Sequence, residues 1–239
     1  MAKAACPVPL CGQFLSLPYV IIEGPSANFF FLELAKKMDF MQDEAVQRSR
    51  RVSRKEIRMN FIDIAKKRYS VRKYAAKQIE KEVLDQILEA GRIAPSACNL
   101  QPYCVLVLQT EESLKKLSRA ANVFFAPTVL VICADTTEVW TRKFDGKKTT
   151  DIDASIATDH MMLQATELGV GSLWVCKFEP DVLSQSFHLP PHIVPINILA
   201  LGYSLDEAKS PNRHISCRKP IRDLVYYEEY KGIDKKSNI

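Results

Sequence analysis

The stretch DIDASIATDHMMLQATELGVGSLWVC, Asp151 to Cys176, decides the fold class. Ile152, Ile156, Ala157, Met161, Met162, Leu163 and Ala165 spread apolar side chains over most faces of a helix running to Leu168. A helix apolar nearly all round is packed nearly all round, so this one is predicted to be central. Gly169 and Gly171 end it, because glycine adopts the left-handed conformation of a helix C-terminus without steric cost. Ser172 to Cys176 then reads as a buried strand.

Outward from this unit, helix and strand alternate. Tyr103–Gln109, Thr128–Ala134 and Ile196–Tyr203 are apolar, β-branched runs that read as strands, with a terminal strand over Ile221–Tyr227. Helices are expected at Phe61–Lys67, Glu80–Ile93, Glu111–Ala121 and Pro180–Phe187. In the second of these, Ile79, Val83 and Ile87 recur every four residues, and Leu84 and Leu88 widen the stripe. Pro180 suits the first position of the last, where its missing N–H costs nothing. One sheet with helices on its faces follows, an α+β or α/β domain.

Composition sets the limits. The chain has 239 residues, 47% hydrophobic and 26% charged, which excludes a mainly disordered chain, a collagen or a coiled-coil rod. Lys plus Arg number 33 against 28 for Asp plus Glu, and a net charge of +5 is too small to imply nucleic acid. The seven cysteines are odd in number and include no Cys-x-x-Cys, so they read as reduced thiols of a cytoplasmic protein. No metal site is expected. His188 and His192 are four apart, but Pro190 and Pro191 between them rule out a shared helical face.

Residues 1–58 differ in texture from the rest. Pro7, Pro9, Pro18 and Pro25 interrupt the apolar stretches, and Leu15–Ile22 is too short to span a bilayer. A short amphipathic helix fits Phe29–Met41, followed by a basic linker from Arg48 to Arg58. The segment reads as a disordered or non-native N-terminal extension, and the domain as 59–239. The other reading makes the basic run an arm for acidic partners or membrane surfaces.

Four constellations carry chemistry. Arg68, Ser70 and Arg72 alternate, so an extended backbone would turn all three the same way, and guanidinium groups bind phosphate through paired charge-assisted hydrogen bonds. Between a helix and a strand, Ala94-Pro95-Ser96-Ala97-Cys98-Asn99-Leu100-Gln101-Pro102 offers donors and acceptors suited to a heterocycle edge; it also has the composition of an ordinary turn. Gly169–Cys176 lacks the dinucleotide fingerprint, since a helix rather than a strand precedes its glycines. Arg213, Arg218 and Lys219 offer cations from far along the chain. His160, within the central helix, reads as a packed core residue, and no nucleophilic triad is present.

In this order the segments resemble the nitroreductase family of FMN-dependent oxidoreductases. The matching signals are Arg68-Tyr69-Ser70-Val71-Arg72, Ala94-Pro95-Ser96 with Asn99 and Gln101-Pro102, Asp153-Ala154-Ser155-Ile156-Ala157 leading to Leu168-Gly169-Val170-Gly171 and Trp174, and Arg218-Lys219-Pro220. The resemblance implies an α+β fold with a central mixed sheet and an intertwined homodimer with FMN at the interface. It implies cofactor contacts from Arg68, Tyr69 and Ser70 near the phosphate and ribityl chain, and from Arg72 at the pyrimidine side of the ring. Pro95, Ser96 and Asn99 would come from the partner chain, Ala97 and Gln101 would also contact the cofactor, Val175 and Cys176 would lie near N5, and Arg218 would return to the phosphate.

No residue is expected to be catalytic in its own right, because the flavin carries the chemistry. The implied reaction is ping-pong transfer of hydride from NADH or NADPH through FMN to nitroaromatic, quinone or similar acceptors. A reductive dehalogenase of halogenated phenols, with Val139–Thr149 as a lid, and a non-catalytic flavin-binding protein are the other readings. Cys98, Tyr103, Cys176 and Lys177 depart from residues common in the family, which weakens any transfer of substrate preference.

Overall fold

A computed structural model describes residues 60–230; expectations placed on 1–58 lie outside the described residues. Helix α1 (Phe61–Lys67) is followed by α2 (Lys81–Arg92), strand β1 (Tyr103–Leu108), α3 (Glu111–Leu117), β2 (Thr128–Asp135), α4 (Thr150–Glu167), β3 (Gly171–Val175), α5 (Pro180–Ser186), β4 (Ile193–Gly202) and the short α6 (His214–Cys217). Local chemistry sets the boundaries. Asn60 Oδ1 accepts from the Asp63 N–H at 3.0 Å, and Thr110 Oγ1 accepts from the Ser113 N–H at 3.2 Å, capping α1 and α3. Gly169, at φ +76°, closes α4 in the left-handed region.

The sheet order is β1-β2-β4-β3, and every strand pairing is antiparallel. Strand β2 is buried from Thr128 to Ala134 because it is flanked by strands and covered on both faces. One face of the sheet, carrying Val129, Val131, Ile198 and Ala200, packs on Leu117 and Leu183 from α3 and α5. The other, carrying Leu130, Ile132, Leu199 and Leu201, packs on Ile87, Met161 and Ala165 from α2 and α4. The central helix is central as expected, with eight buried residues, and three of them are polar: Asp153, Thr158 and Thr166. At Gly91 an added Cβ would lie 2.8 Å from Met161 Cγ, so the missing side chain is what lets α2 approach α4.

Three expectations are corrected. Among the described residues the sheet's strands are antiparallel rather than mixed, and the parallel element is the bridge between Ser70 and Ser172. Ile221–Tyr227 is not a strand. After Pro220 the backbone closes on itself, with Asp223 N donating to Pro220 O and Leu224 N to Ile221 O, both at 3.0 Å. Strand β4 begins at Ile193, earlier than the sequence suggests, because Pro195 sits where the register with β2 shifts between Ile132 and Cys133 and an irregular ladder tolerates proline.

Candidate active site

Arg68–Arg72 leave α1 in an extended line. Ser70 bridges Ser172 at the edge of β3, and the Val71 N–H donates to Ser172 O at 3.0 Å. Val71 points inward and is buried. A Cβ on Gly171 would meet Val71 Cγ2 at 2.8 Å, so Gly171 serves this close approach. With Val71 inward, the alternation expected of Arg68, Ser70 and Arg72 has its structural basis. Tyr69 also departs from that line: its hydroxyl donates to Ser204 Oγ at 3.1 Å.

Positive charge gathers at Arg68. Burial first, and then the neighbouring Arg213 and Arg218, hold its guanidinium below its ordinary value, while Asp159 acts in the opposite sense. Like charges brought together at a half-buried site favour a bound anion. Arg213, which the sequence presents only as a companion of Arg218, also braces the backbone. It donates to the carbonyls of Lys66 at 3.0 Å, Ser210 at 2.9 Å and Arg68. His214 Nε2 also lies 3.2 Å from the Lys66 carbonyl. Arg213 therefore ties the C-terminus of α1, and with it Arg68, to the 210–218 segment.

A cavity of about 800 Å³ lies at the Arg72 end of the same extended segment; Arg68, Arg213 and Arg218 do not line it. Arg72, Val175 and Cys176 line it together with Phe124 and Phe178, which pack on the same face of the sheet, and the Arg72 guanidinium lies 5.8 Å from the centre of the Phe124 ring. It thus has an aromatic wall and a cation beside it, an arrangement suited to a planar heterocycle with an electron-rich edge.

Pro95–Gln101 form a separate structure and do not line this cavity. Cys98, Asn99 and Gln101 all have φ between +51° and +54°, a costly conformation for side-chain-bearing residues. Three side-chain hydrogen bonds hold it, beside the backbone bonds within the turn: Asp153 Oδ1 accepts from the Ala97 N–H at 3.0 Å, Ser96 Oγ from the Gln101 N–H at 2.9 Å, and the Asn99 carbonyl from Gln101 Nε2 at 3.0 Å. Asp153 is 1% exposed, and its other oxygen accepts from the Thr149 hydroxyl at 2.8 Å. In the sequence Asp153 stands out only as part of a motif, because its partner at Ala97 lies 56 residues away.

Val139–Thr149, expected as a lid, folds as a small hairpin with a Thr141–Lys148 bridge and an Arg142–Asp145 ion pair. None of its residues lines the cavity, and Phe144 at its tip is 99% exposed. Nothing in this placement favours the dehalogenase reading.

An arginine cluster suited to an anion, a cavity with an aromatic wall at the other end of the same segment and an α+β scaffold are the features a phosphorylated planar ligand requires. Residues 65–125 and 115–203 match the Nitroreductase family, more than half of the chain, and the protein belongs to that family. The crystal structure of a nitroreductase family protein from Clostridium difficile 630 shares 51% identity and superposes with a TM-score of 0.71, covering 72% of this chain and 100% of that one. An FMN-dependent nitroreductase from Clostridium difficile R20291 shares 30% identity with a TM-score of 0.58, covering 70% and 98%. An FMN reductase (NAD(P)H) from Bacillus subtilis is 30% identical over 186 residues, 70% of this chain and 72% of that protein.

The residues present fit FMN. The half-buried Arg68, pressed by Arg213 and Arg218, supplies the charge a phosphate monoester needs, and Arg72 with Phe124 and Phe178 supplies a cationic, aromatic recess. Among the described residues no His/Cys/Asp/Glu group of metal-binding size occurs, and no helix is long and apolar enough to cross a membrane.

Proposed function

We propose that this chain is an FMN-dependent NAD(P)H oxidoreductase that reduces small aromatic acceptors such as nitroaromatics or quinones. The observation that supports the reading is the convergence of Arg213 and Arg218 on Arg68, four residues along the extended segment from Arg72, which lines the cavity with Val175 and Cys176. FMN, when bound, supplies the hydride acceptance and donation that no side chain provides. Arg68 and Arg218 hold the phosphate, and Ser70 adds a hydroxyl from the same extended segment. Arg72 places positive charge where negative charge develops on reduction. Phe124 and Phe178 shape the recess that excludes water from one side. Hydride donor and acceptor occupy the same opening in turn, so the kinetics are ping-pong.

The working unit in this reading is a homodimer in the cytoplasm. The strained 95–101 loop, with Ile93 and Leu100 exposed beside it, presents its polar groups to the cofactor of the second copy. The domain is 59–239, and residues 1–58 are an extension not needed for flavin binding. FMN titration of the apoprotein tests the anion cluster. Relative to wild type, Arg68→Ala and Arg213→Ala weaken binding at least tenfold, since each removes a charged contact of about 1.5–3 kcal/mol or its support. FMN affinity within twofold of wild type in both variants rejects the assignment.

A further inference from the structure

The cavity holds more positive charge than the proposed flavin site uses. Three cations line it, Arg72, Arg119 and Lys177, against one carboxylate, Glu179. Among the described residues neither Arg119 nor Lys177 takes part in an ion pair.

The fold brings these two cations to one rim. After α3 the chain turns through Arg119, and Ala121 bridges Phe178. The Glu179 N–H donates to the Ala120 carbonyl at 2.9 Å, locking the 119–121 turn against the 177–179 segment that follows β3. Two segments nearly sixty positions apart in sequence are thus fastened backbone to backbone, each carrying an unpaired cation at the opening. Behind them the wall is aromatic, with Phe124 and Phe178.

An aromatic wall under a cationic rim recognises a planar molecule with an anionic group at its outer end. We propose that Arg119 and Lys177 make this enzyme selective for anionic aromatic acceptors, those bearing a carboxylate or phenolate beside the reducible group. The inference rests on the reductase reading above and adds a substrate class to it. For a nitro acceptor the balanced reaction is R–NO2 + NAD(P)H + H+ → R–NO + NAD(P)+ + H2O. The hydride supplies the electron pair, one N–O bond breaks, and the oxygen leaves as water. Arg119 and Lys177 take no part in that bond exchange; they hold the distal anion.

The test compares 4-nitrobenzoate with 4-nitrobenzamide, near-isosteres that differ in charge, on the full chain loaded with FMN. The ratio of their kcat/KM values is measured for wild type and for the Arg119→Gln, Lys177→Gln double variant. Two exposed charge contacts of ordinary strength change that ratio about tenfold, through KM, and the wild-type preference shrinks in 0.5 M NaCl. Because the ratio is compared between proteins, the intrinsic difference in reducibility of the two probes cancels.

Binding is read separately, without turnover, by isothermal titration of each probe into the oxidised, FMN-loaded chain. Tighter binding of the benzoate, lost in the double variant, supports the proposal even if neither compound is reduced; in that case the reductase reading is what fails. Equal binding of the two probes by wild type overturns the proposal whatever the turnover. A double variant that slows reduction by NADPH but leaves the benzoate-to-benzamide ratio unchanged also overturns it, and assigns the rim to the dinucleotide.

Discussion

Asp153→Ala isolates the group that holds the strained loop. In the native fold this carboxylate accepts from the Ala97 N–H at 3.0 Å and the Thr149 hydroxyl at 2.8 Å, and it is 1% exposed. The Thr149 N–H in turn donates to Trp140 O at 3.1 Å, so one side chain joins the 95–101 loop, the start of α4 and the Trp140 hairpin. Alanine leaves both donors without that acceptor, at about 1–3 kcal/mol for each buried group stranded. Ala97 is only half-buried and water reaches it, while removal of a buried carboxylate returns some desolvation energy. A net loss of roughly 2–3 kcal/mol follows, which lowers the melting temperature by about 4–12 °C for a domain of this size. Asp153→Asn is the control. Its Oδ1 still accepts from Ala97 N–H and its amide donates to Thr149 Oγ, so the loss stays below about 1 kcal/mol. Thermal unfolding of the apoprotein followed by circular dichroism gives the stability change. Amide hydrogen exchange over 96–101 locates it, because the loop loses its tether and the left-handed residues relax. An alanine variant that melts within about 1 °C of wild type, with unchanged exchange in the loop, refutes the reasoning. An asparagine variant as damaged as alanine shows that charge, and not the two hydrogen bonds, does the holding.

Further outcomes follow from other sites. Cys104 faces Cys133 directly across β1 and β2, and the hydrogen bond from Cys133 lowers its thiol to about 7, with burial opposing. Cys133, on the same bond, is raised. Alkylation of Cys104 by iodoacetamide, followed by mass spectrometry, should reach half its limiting rate near pH 7, and Cys133→Ala should move that midpoint up toward the ordinary thiol range of about 8.5. The lowered folded value adds stability that is full above the unfolded pKa and is lost as pH falls through about 7. A midpoint that ignores Cys133 contradicts the pairing. Gly171→Ala places a Cβ 2.8 Å from Val71 Cγ2 and 3.0 Å from the Gly202 carbonyl, and should cost about 1–3 kcal/mol in urea unfolding while moving Arg68–Arg72 off β3. Wild-type stability in that variant means the segment does not lie against the strand as described.

What the sequence disclosed was what short-range pattern encodes. The all-round apolar surface of α4 and the glycines after it each report on their own neighbourhood, and each reappears in the fold. The site's supports were hidden because they depend on contacts between distant segments. Arg213 reaches Lys66 across 147 residues, and Asp153 reaches Ala97 across 56. The left-handed backbone at Cys98, Asn99 and Gln101 carries no glycine signal, since it is imposed by Asp153 and Ser96 rather than by local preference. Ile221–Tyr227 misled for the opposite reason: its β-branched, aromatic composition suits a strand, but the turn after Pro220 fixes its path. The cationic rim was equally out of sight, because Arg119 and Lys177 become neighbours only through the Ala121–Phe178 bridge.

The central claim is a flavin site that accepts hydride. Its most direct test is the visible absorption spectrum of the purified full chain, reconstituted with FMN and recorded anaerobically before and after one equivalent of NADH or NADPH. The account predicts a yellow protein whose flavin band bleaches with at least one of the two nicotinamides and returns when a nitroaromatic or quinone is added. A protein that stays colourless after reconstitution, or a yellow one that neither nicotinamide bleaches, contradicts it.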